Sequence, residues 1–389
     1  MASLKAAKHP TPKLKIGFVL DDSLDSADGV QQYVLTVGTW LKKQGHEVHY
    51  LVGETVRTDI ENLHSLSRNV KVRFNHNRMS MPLPAQKTQL RKLLQQEQFD
   101  ILHVQLPYSP FLAGRIIAAA PARTAIVGTF HIAPHSRMVH LANRLLMVLT
   151  RRTLRRFDAI FSVSPVAQAF AKQTFGIESS VLPNTVSMAA YDQPEPLAKY
   201  IKTTNIMFLG RLVQRKGCAH LLRAVAEMQR QNLVNSPYKV VICGKGPLEP
   251  ELREFVRSHS LQDIVVFEGF IDETEKPNYL ATSDIAVFPS TGGESFGIVL
   301  IEAMAASRGA VLAGNNPGYA SVMEPFTQSL FNPADEQALA HLLANMLNDS
   351  KKRAQLSMQQ HIAVRQYDIG NVGTRLVNYY EVALHKRRP

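Results

Sequence analysis

The sequence alternates short apolar runs with amphipathic stretches from end to end, which is typical of the strands and crossover helices of parallel α/β sheets. The runs form two series. The first predicts strands at residues 14–20, 46–52, 70–74, 99–105, 124–131, 157–164 and 179–184. The second predicts strands at residues 205–210, 238–244, 264–271, 284–290 and 310–314. The pattern therefore predicts an α/β protein with two doubly wound domains.

A stretch without periodicity separates the two series. Residues 187–204 contain two prolines and read as a linker. We therefore predict a first domain at residues 1–195 and a second at 196–365, followed by a C-terminal helix at about 366–389. Ligands of open α/β sheets bind beyond the carboxyl ends of the strands, so the expected ligand site is a cleft between the two domains.

Composition supports this organisation and excludes several classes of protein. With 389 residues, 45% hydrophobic and 20% charged, the chain suits two globular domains and not a disordered protein. No run reaches the roughly 20 apolar residues of a membrane span, and the first 13 residues lack the apolar region of a signal peptide. Cys218 and Cys243 are the two cysteines and lie in predicted helix and strand, which favours a reducing cytoplasm.

Basic charge is concentrated in the first half of the chain. The net charge is +12, and residues 1–200 contain 24 Lys and Arg against 14 Asp and Glu. No acidic residue occurs between Asp100 and Asp158, where eight arginines fall. Such an excess indicates an anionic partner, which can be a nucleic acid, an anionic lipid or a phosphate-bearing substrate.

The most informative motif is a strand, loop and helix start at residues 284–305. Two glycines allow a sharp turn, and Glu294, Ser295, Phe296 and Gly297 open an apolar helix. The unpaired N–H groups of such a helix start can bind a diphosphate. Glu294 and Glu302 stand eight residues apart. Since Glu302 is flanked by apolar residues, we expect it to be buried and to have a functional role, because a buried carboxylate is costly unless it is paired. The alternative, which is usual for an isolated pair of glutamates, makes Glu294 a helix-entry residue and Glu302 a solvated helix residue.

Two further strand ends carry candidate chemistry. The loop at 208–217 offers Arg211, Arg215 and Lys216, which could bind a diphosphate or could form a solvated turn. His131 ends the predicted strand at 124–131, where an uncharged imidazole could hydrogen bond to a bound hydroxyl. The alternative is a structural role, which is the more common one for a single histidine at a strand end. Gly29 follows the first strand, where a ligand could approach the backbone closely.

With these residues in place, the chain resembles the retaining glycosyltransferases of family 4, which have the GT-B fold, and within them the phosphatidylinositol mannosyltransferases. The similarity rests on motifs in the same order and spacing: GVQ at 29–31, GTFH at 128–131, FLGRLVQRKG at 208–217, GGESFGIVLIEAMA at 292–305 and NNPGY at 315–319. Residues 183–187 depart from the usual Pro-Asn-Gly-Val-Asp, and Arg215 stands where relatives commonly have Glu. The resemblance implies a C-terminal helix that crosses back to the first domain.

The resemblance also implies roles for residues, position by position. Arg211 and Lys216 would bind the donor diphosphate, and Glu302 would bind the ribose. His131 would contact the hexose, and Gln31 would face the acceptor headgroup. The remaining donor-binding positions are Gly29 at the phosphate, Ile271 and Lys276 at the base, and Glu294, Phe296, Gly297 and Ile298 at the sugar and phosphates. The implied catalytic set is His131, Glu294, Arg211 and Lys216.

The implied reaction retains the anomeric configuration, and the leaving phosphate helps to remove the acceptor proton. The sequence contains no Asp-x-Asp pair, so we expect no metal and no cofactor beyond the nucleotide-sugar donor, GDP-mannose being favoured. We expect a phosphatidylinositol or related lipid acceptor and no nucleic-acid partner. The alternatives are UDP-glucose or another nucleotide sugar with a diacylglycerol or soluble acceptor, and a nucleotide-sugar epimerase.

The arginine-rich stretch at 137–157 has a candidate use in this context. It combines leucines with six arginines and no acid, as an interfacial helix does. We predict that it holds the protein to the cytoplasmic face of the membrane as a peripheral protein, through Arg144, Arg151, Arg152, Arg155 and Arg156. The alternative is an ordinary domain helix with core leucines and solvated arginines.

Overall fold

A computed structural model describes residues 12–25, 28–74, 77–83, 85–132, 150–306 and 308–388. The chain divides into two compact units. The first comprises residues 1–130, 143–161 and 373–389, and the second comprises residues 131–142 and 162–372. The predicted boundary at residue 195 separates two folding domains, and the division into compact units does not test it. This boundary stays a prediction.

The first sheet has seven strands in the order β3-β2-β1-β6-β7-β8-β9. Its strands are β1 (Lys15–Val19), β2 (Glu47–Val52), β3 (Leu63–Ser65), β6 (Ile101–Gln105), β7 (Ala125–Phe130), β8 (Ala159–Ser162) and β9 (Ser180–Val181). The helices between them are α1 (Gly29–Lys43), α2 (Lys87–Glu97), α3 (Leu112–Ala119) and α4 (Pro165–Phe175). The central strands pair in parallel, which confirms the predicted doubly wound arrangement.

The strand expected at 70–74 belongs elsewhere. β4 (Asn69–Phe74) pairs antiparallel with β5 (Asn77–Pro82) in a separate two-stranded sheet, and β3 takes the edge of the main sheet. The sequence of β4 alternates apolar and polar residues, whereas a strand buried on both faces of a parallel sheet is a continuous apolar run. The alternation was therefore the signal for a hairpin outside the main sheet.

The second sheet has six strands in the order β12-β11-β10-β13-β14-β15. Its strands are β10 (Thr204–Leu209), β11 (Tyr238–Cys243), β12 (Val265–Gly269), β13 (Ile285–Phe288), β14 (Ala310–Gly314) and β15 (Leu330–Phe331). The helices are α5 (Cys218–Arg230), α6 (Glu249–Ser258), α7 (Lys276–Thr282), α8 (Ile298–Ala305), α9 (Pro317–Val322), α10 (Glu336–Asn348) and α11 (Ser350–Val364). The sequence predicted every strand except β15, which is two residues long.

The C-terminal helix α12 (Ile369–Arg387) returns to the first unit, as the resemblance implies. Its Tyr380 is fully buried, and the Tyr380 hydroxyl lies 2.7 Å from Nδ1 of His103. The other ring nitrogen of His103, Nε2, lies 2.7 Å from Thr129 Oγ1. His103 is thus a hydrogen-bonded core residue of the first unit. In the ranges that the structure describes, no helix has the length and apolar character to span a bilayer.

Candidate functional site

Two loops of the second unit come together because their strands are neighbours. β10 and β13 pair in parallel, with Ile206 opposite Ile285 and Met207 opposite Ala286. Their carboxyl ends therefore lie at the same edge of the sheet, and the loop after each strand begins there. The Thr291 N–H donates to the Arg215 carbonyl at 2.9 Å, which joins the two loops directly.

The Glu294 carboxylate is the centre of the resulting cluster. Its Oε1 atom lies 2.7 Å from an Nη atom of Arg215, 2.9 Å from Lys216 Nζ and 2.9 Å from Ser290 Oγ. The Glu294 side chain is 11% exposed. Burial raises its pKa, but Lys216 and Arg215 outweigh burial and hold the pKa below its ordinary value. Glu294 is consequently an anion with two cationic neighbours.

Glycine is required at two turns beside this cluster. Gly217 has φ of +75°, and a Cβ there would lie 1.9 Å from the Pro289 carbonyl oxygen. Gly297 has φ of +108°, and a Cβ there would lie 2.6 Å from the ring of Tyr319. Gly297 is also the residue before helix α8, and it has no side chain to cap the helix. The backbone N–H groups at this helix start can thus meet an anion, and the positive end of the helix dipole favours one.

The NNPGY motif at 315–319 is hydrogen bonded to the loop that carries Glu294. Asn316 accepts a hydrogen bond from the Tyr319 N–H at 3.1 Å and so caps helix α9. The Asn316 amide donates to the Ser290 carbonyl at 3.0 Å. Because Ser290 also contacts Glu294, Asn316 helps to fix the position of the cluster.

Glu302 forms a second, more deeply buried ion pair. Its Oε1 atom lies 2.7 Å from Lys276 Nζ, and the two residues are 8% and 5% exposed. Glu273 lies 2.5 Å from the same ammonium. Burial would lower the pKa of Lys276, but Glu302 and Glu273 raise it above its ordinary value. Burial raises the pKa of Glu302, and Lys276 offsets part of that rise.

The buried state of Glu302 confirms the expectation drawn from its apolar neighbours. Periodicity carries no signal that Lys276 is the partner of Glu302, because the two residues lie in different helices 26 residues apart. Ile271 is buried two residues after β12 and Phe296 is buried before helix α8. Arg211 is exposed, and its guanidinium pairs with no carboxylate in the ranges that the structure describes.

His131 directly follows β7 and is 7% exposed. Burial lowers the pKa of its imidazole to about 3. The side chain is therefore neutral at physiological pH, which is the form expected for its contact with a bound hydroxyl.

Gly29 and Gln31 belong to the first unit. Gly29 is the first residue of helix α1, and Asp28 occupies the N-cap position without a side-chain capping hydrogen bond. Gln31 is buried, and its amide donates to the Ser23 carbonyl at 3.2 Å. This bond ties the start of helix α1 to the loop that follows β1.

The arginine-rich stretch is described in part. Residues 133–149, with Arg144, lie outside the described residues, whereas residues 150–154 are helical. Arg151, Arg152 and Arg155 are exposed, and none of them forms an ion pair with another described residue. Arg156 donates to the Ala120 carbonyl at 3.2 Å.

The C-terminal helix adds basic residues beside this stretch. Arg387 donates to the Arg156 carbonyl at 3.0 Å and to Asp158 Oδ1 at 2.8 Å. Arg388 pairs with Asp100 at 2.9 Å. We name the whole set the basic patch; it comprises Arg151, Arg152, Arg155, Arg156, Lys386, Arg387 and Arg388. Sequence reasoning missed the C-terminal members because they lie about 230 positions away.

A group of possible metal ligands lies in the first unit, in the part of the chain that the structure describes. Ligand atoms of His49, His64 and Glu97 lie within 4.8 Å of one another. Glu97 already pairs with Lys15 at 2.5 Å. A cation at this group would have to displace the lysine ammonium from the carboxylate.

The two parallel sheets and the returning C-terminal helix define the GT-B fold, and comparison with known proteins agrees. The solved structure of Anabaena Alr3699/HepE in complex with UDP and glucose matches with a TM-score of 0.68 at 18% identity, over 94% of this chain and 98% of that chain.

Sequence comparison then gives the family. The model described as Glycosyltransferase Family 4 matches residues 27–189, and that described as Glycosyl transferases group 1 matches residues 192–360. The phosphatidyl-myo-inositol mannosyltransferase of Propionibacterium freudenreichii is 30% identical over 95% of both chains. That of Mycolicibacterium smegmatis is 29% identical over 95% of this chain and 94% of its own. The chain therefore belongs to the family 4, or group 1, glycosyltransferases.

Proposed function

We propose that the protein transfers mannose from GDP-mannose to phosphatidylinositol or a related glycolipid at the cytoplasmic face of the membrane, with retention of configuration and without a metal. The observation that carries this proposal is the similarity to phosphatidyl-myo-inositol mannosyltransferases over 95% of the chain. The charged groups of the second unit provide the chemistry that a nucleotide-sugar donor needs.

The donor half of the proposal rests on the strand ends of the second unit. Arg211 and Lys216 supply cations for the diphosphate, and the helix start at Ile298 supplies backbone N–H groups for the same anion. Glu294 accepts hydrogen bonds from the transferred hexose. Glu302 binds the ribose diol, and Lys276 holds that carboxylate in place from 2.7 Å.

The proposed chemistry needs no protein nucleophile. The arginine and lysine charges stabilise the leaving diphosphate, and a phosphate oxygen takes the proton of the attacking hydroxyl as the new glycosidic bond forms on the same face. His131 contributes a neutral imidazole that hydrogen bonds to the hexose. Activity in excess EDTA would support the absence of a metal requirement, and the anomeric configuration of the product, measured by NMR, tests retention.

The donor nucleotide can be tested before any acceptor is known. We expect GDP to raise the thermal unfolding temperature of the protein more than UDP does at the same concentration, because the ligand that binds the folded state more tightly stabilises it more. A larger shift with UDP would contradict the GDP-mannose assignment and favour UDP-glucose or another UDP-sugar.

The basic patch supports the membrane half of the proposal. Charges near an anionic leaflet contribute about 1 kcal/mol each. Replacing Arg151, Arg152 and Arg155 by Gln should therefore weaken binding to anionic vesicles by roughly a hundredfold, as measured by cosedimentation with vesicles that contain phosphatidylinositol.

A matched control removes three exposed basic residues from the second unit. Lys351, Lys352 and Arg257 are exposed there, and their replacement by Gln should leave vesicle binding almost unchanged. Equal losses of vesicle binding for the two triple variants would show that the effect comes from the net charge of the protein. Unchanged vesicle binding by the variant of Arg151, Arg152 and Arg155 would show that the patch does not contact the membrane.

A further inference from the structure

Three hydrogen-bond donors converge on one oxygen of Glu294. The guanidinium of Arg215, the ammonium of Lys216 and the hydroxyl of Ser290 all lie within 2.9 Å of Oε1. The second oxygen, Oε2, makes no hydrogen bond to any residue in the ranges that the structure describes. The carboxylate is therefore held by one oxygen, which leaves the other available as an acceptor.

Under the proposed function, the two cations of this cluster, Lys216 and Arg215, have different roles. Lys216 is expected to bind the donor diphosphate, so its charge must serve the phosphate oxygens during the reaction. Arg215 then remains as the cation that compensates Glu294. A buried carboxylate without a cationic partner is costly and tends to take up a proton.

Arg215 can compensate the charge of Glu294 because its backbone is hydrogen bonded to the loop that carries Glu294. Its carbonyl accepts hydrogen bonds from the Thr291 N–H at 2.9 Å and from Ser290 Oγ at 3.0 Å. Its Nε atom is buried and makes no hydrogen bond within the described part of the chain.

We propose that Arg215 is a positioning residue of the transfer reaction, which holds Glu294 as an anion by its Oε1 atom and so presents Oε2 to a hydroxyl group of the transferred sugar. This inference rests on the proposed function. It gives a use to the residue at which the phosphate loop departs from the Glu common among relatives.

The test compares Arg215→Gln with Arg215→Lys. Glutamine removes the positive charge, so the turnover number for donor hydrolysis and for transfer should fall about tenfold to a hundredfold, the range expected for one hydrogen bond to a charged group. The KM for the donor should change less, because Lys216 and Arg211 still bind the diphosphate. Lysine keeps the charge and should restore most of the rate.

The pH profile separates this role from a purely structural one. Without Arg215 the pKa of Glu294 rises, since an opposite charge within a few ångströms favours the ionised carboxylate. The acid limb of kcat, which reports the donor-bound enzyme, should therefore move up by about one pH unit or more in Arg215→Gln and stay near the wild-type position in Arg215→Lys. The control is Arg230→Gln, which removes an exposed arginine paired with Glu227 on the same unit.

The outcomes distinguish this inference from the proposed function. If the wild-type protein turns over no nucleotide hexose, the proposed function fails and the inference fails with it. If the wild type is active and Arg215→Gln keeps both its turnover number and its acid limb, the inference alone is wrong. A lower rate with the acid limb unchanged, or equal losses for the Gln and Lys variants, would also overturn it.

Discussion

Glu294→Gln is expected to lower the rate of sugar transfer by roughly a hundredfold or more, a loss similar to that for one preorganised hydrogen-bonding group at a reaction centre. The substitution keeps the shape of the side chain but removes the anion that Arg215 and Lys216 surround. An amide leaves both cations without their carboxylate and makes weaker hydrogen bonds to sugar hydroxyls. Steady-state transfer to lipid and hydrolysis of the donor without acceptor should fall together.

A matched control keeps this result interpretable. Glu249→Gln removes a carboxylate of the same unit that pairs with Arg253 at 2.8 Å near the surface, and it should leave the rate within about twofold. Near-normal transfer by Glu294→Gln, in a protein that still folds, would remove Glu294 from the catalytic set.

Lys276→Met is expected to cause the largest loss of stability among the substitutions considered. It leaves Glu302 buried without its cation, and breaking a buried pair from one side costs about 3–5 kcal/mol. Urea unfolding followed by circular dichroism should show this decrease in the free energy of unfolding of the second unit. An exposed lysine of the same unit, such as Lys351, provides the control for lysine replacement.

The pH dependence of this deficit follows from the pKa of Glu302. Burial already raises that pKa above the ordinary value of 4.5, and loss of Lys276 raises it further. A carboxyl whose pKa is raised by folding destabilises the folded state at pH values above the folded pKa, and the cost disappears below the unfolded pKa. The deficit of Lys276→Met against wild type should thus be largest at neutral pH and shrink as the pH falls towards 4.5.

The double variant Lys276→Met with Glu302→Gln completes the comparison. Removing both charges replaces the ion pair with neutral groups, so its deficit should be smaller than that of Lys276→Met alone. A double variant as unstable as the single one would show that Lys276 stabilises the unit through packing and not through Glu302.

Apolar patterning was sufficient to predict the two parallel sheets, because each buried strand is a continuous apolar run and each crossover helix an amphipathic one. Strand pairing then places loops together, but the sequence does not give the order of the strands. The position of Glu294 after one strand and of Arg215 after another was visible, whereas their contact depends on β10 and β13 being neighbours.

Other features had weaker sequence signals. The ion pair between Lys276 and Glu302 joins two helices, and periodicity cannot show which buried charges meet. The basic patch joins residues 151–156 to the end of helix α12, which requires the chain to return to the first unit. The hairpin of β4 and β5 did have a signal, an alternating pattern that fits one buried face, and a stricter use of that pattern would have excluded 70–74 from the main sheet.

The central claim is tested most directly by measuring which radiolabelled sugar the protein attaches to which lipid. Vesicles containing phosphatidylinositol, or diacylglycerol in its place, are incubated with labelled GDP-mannose or UDP-glucose, and the extracted lipids are separated and counted. The account predicts label from GDP-mannose in a phosphatidylinositol product, and loss of that label in Glu294→Gln. Label that passes from UDP-glucose to diacylglycerol, with none from GDP-mannose to phosphatidylinositol, would contradict it.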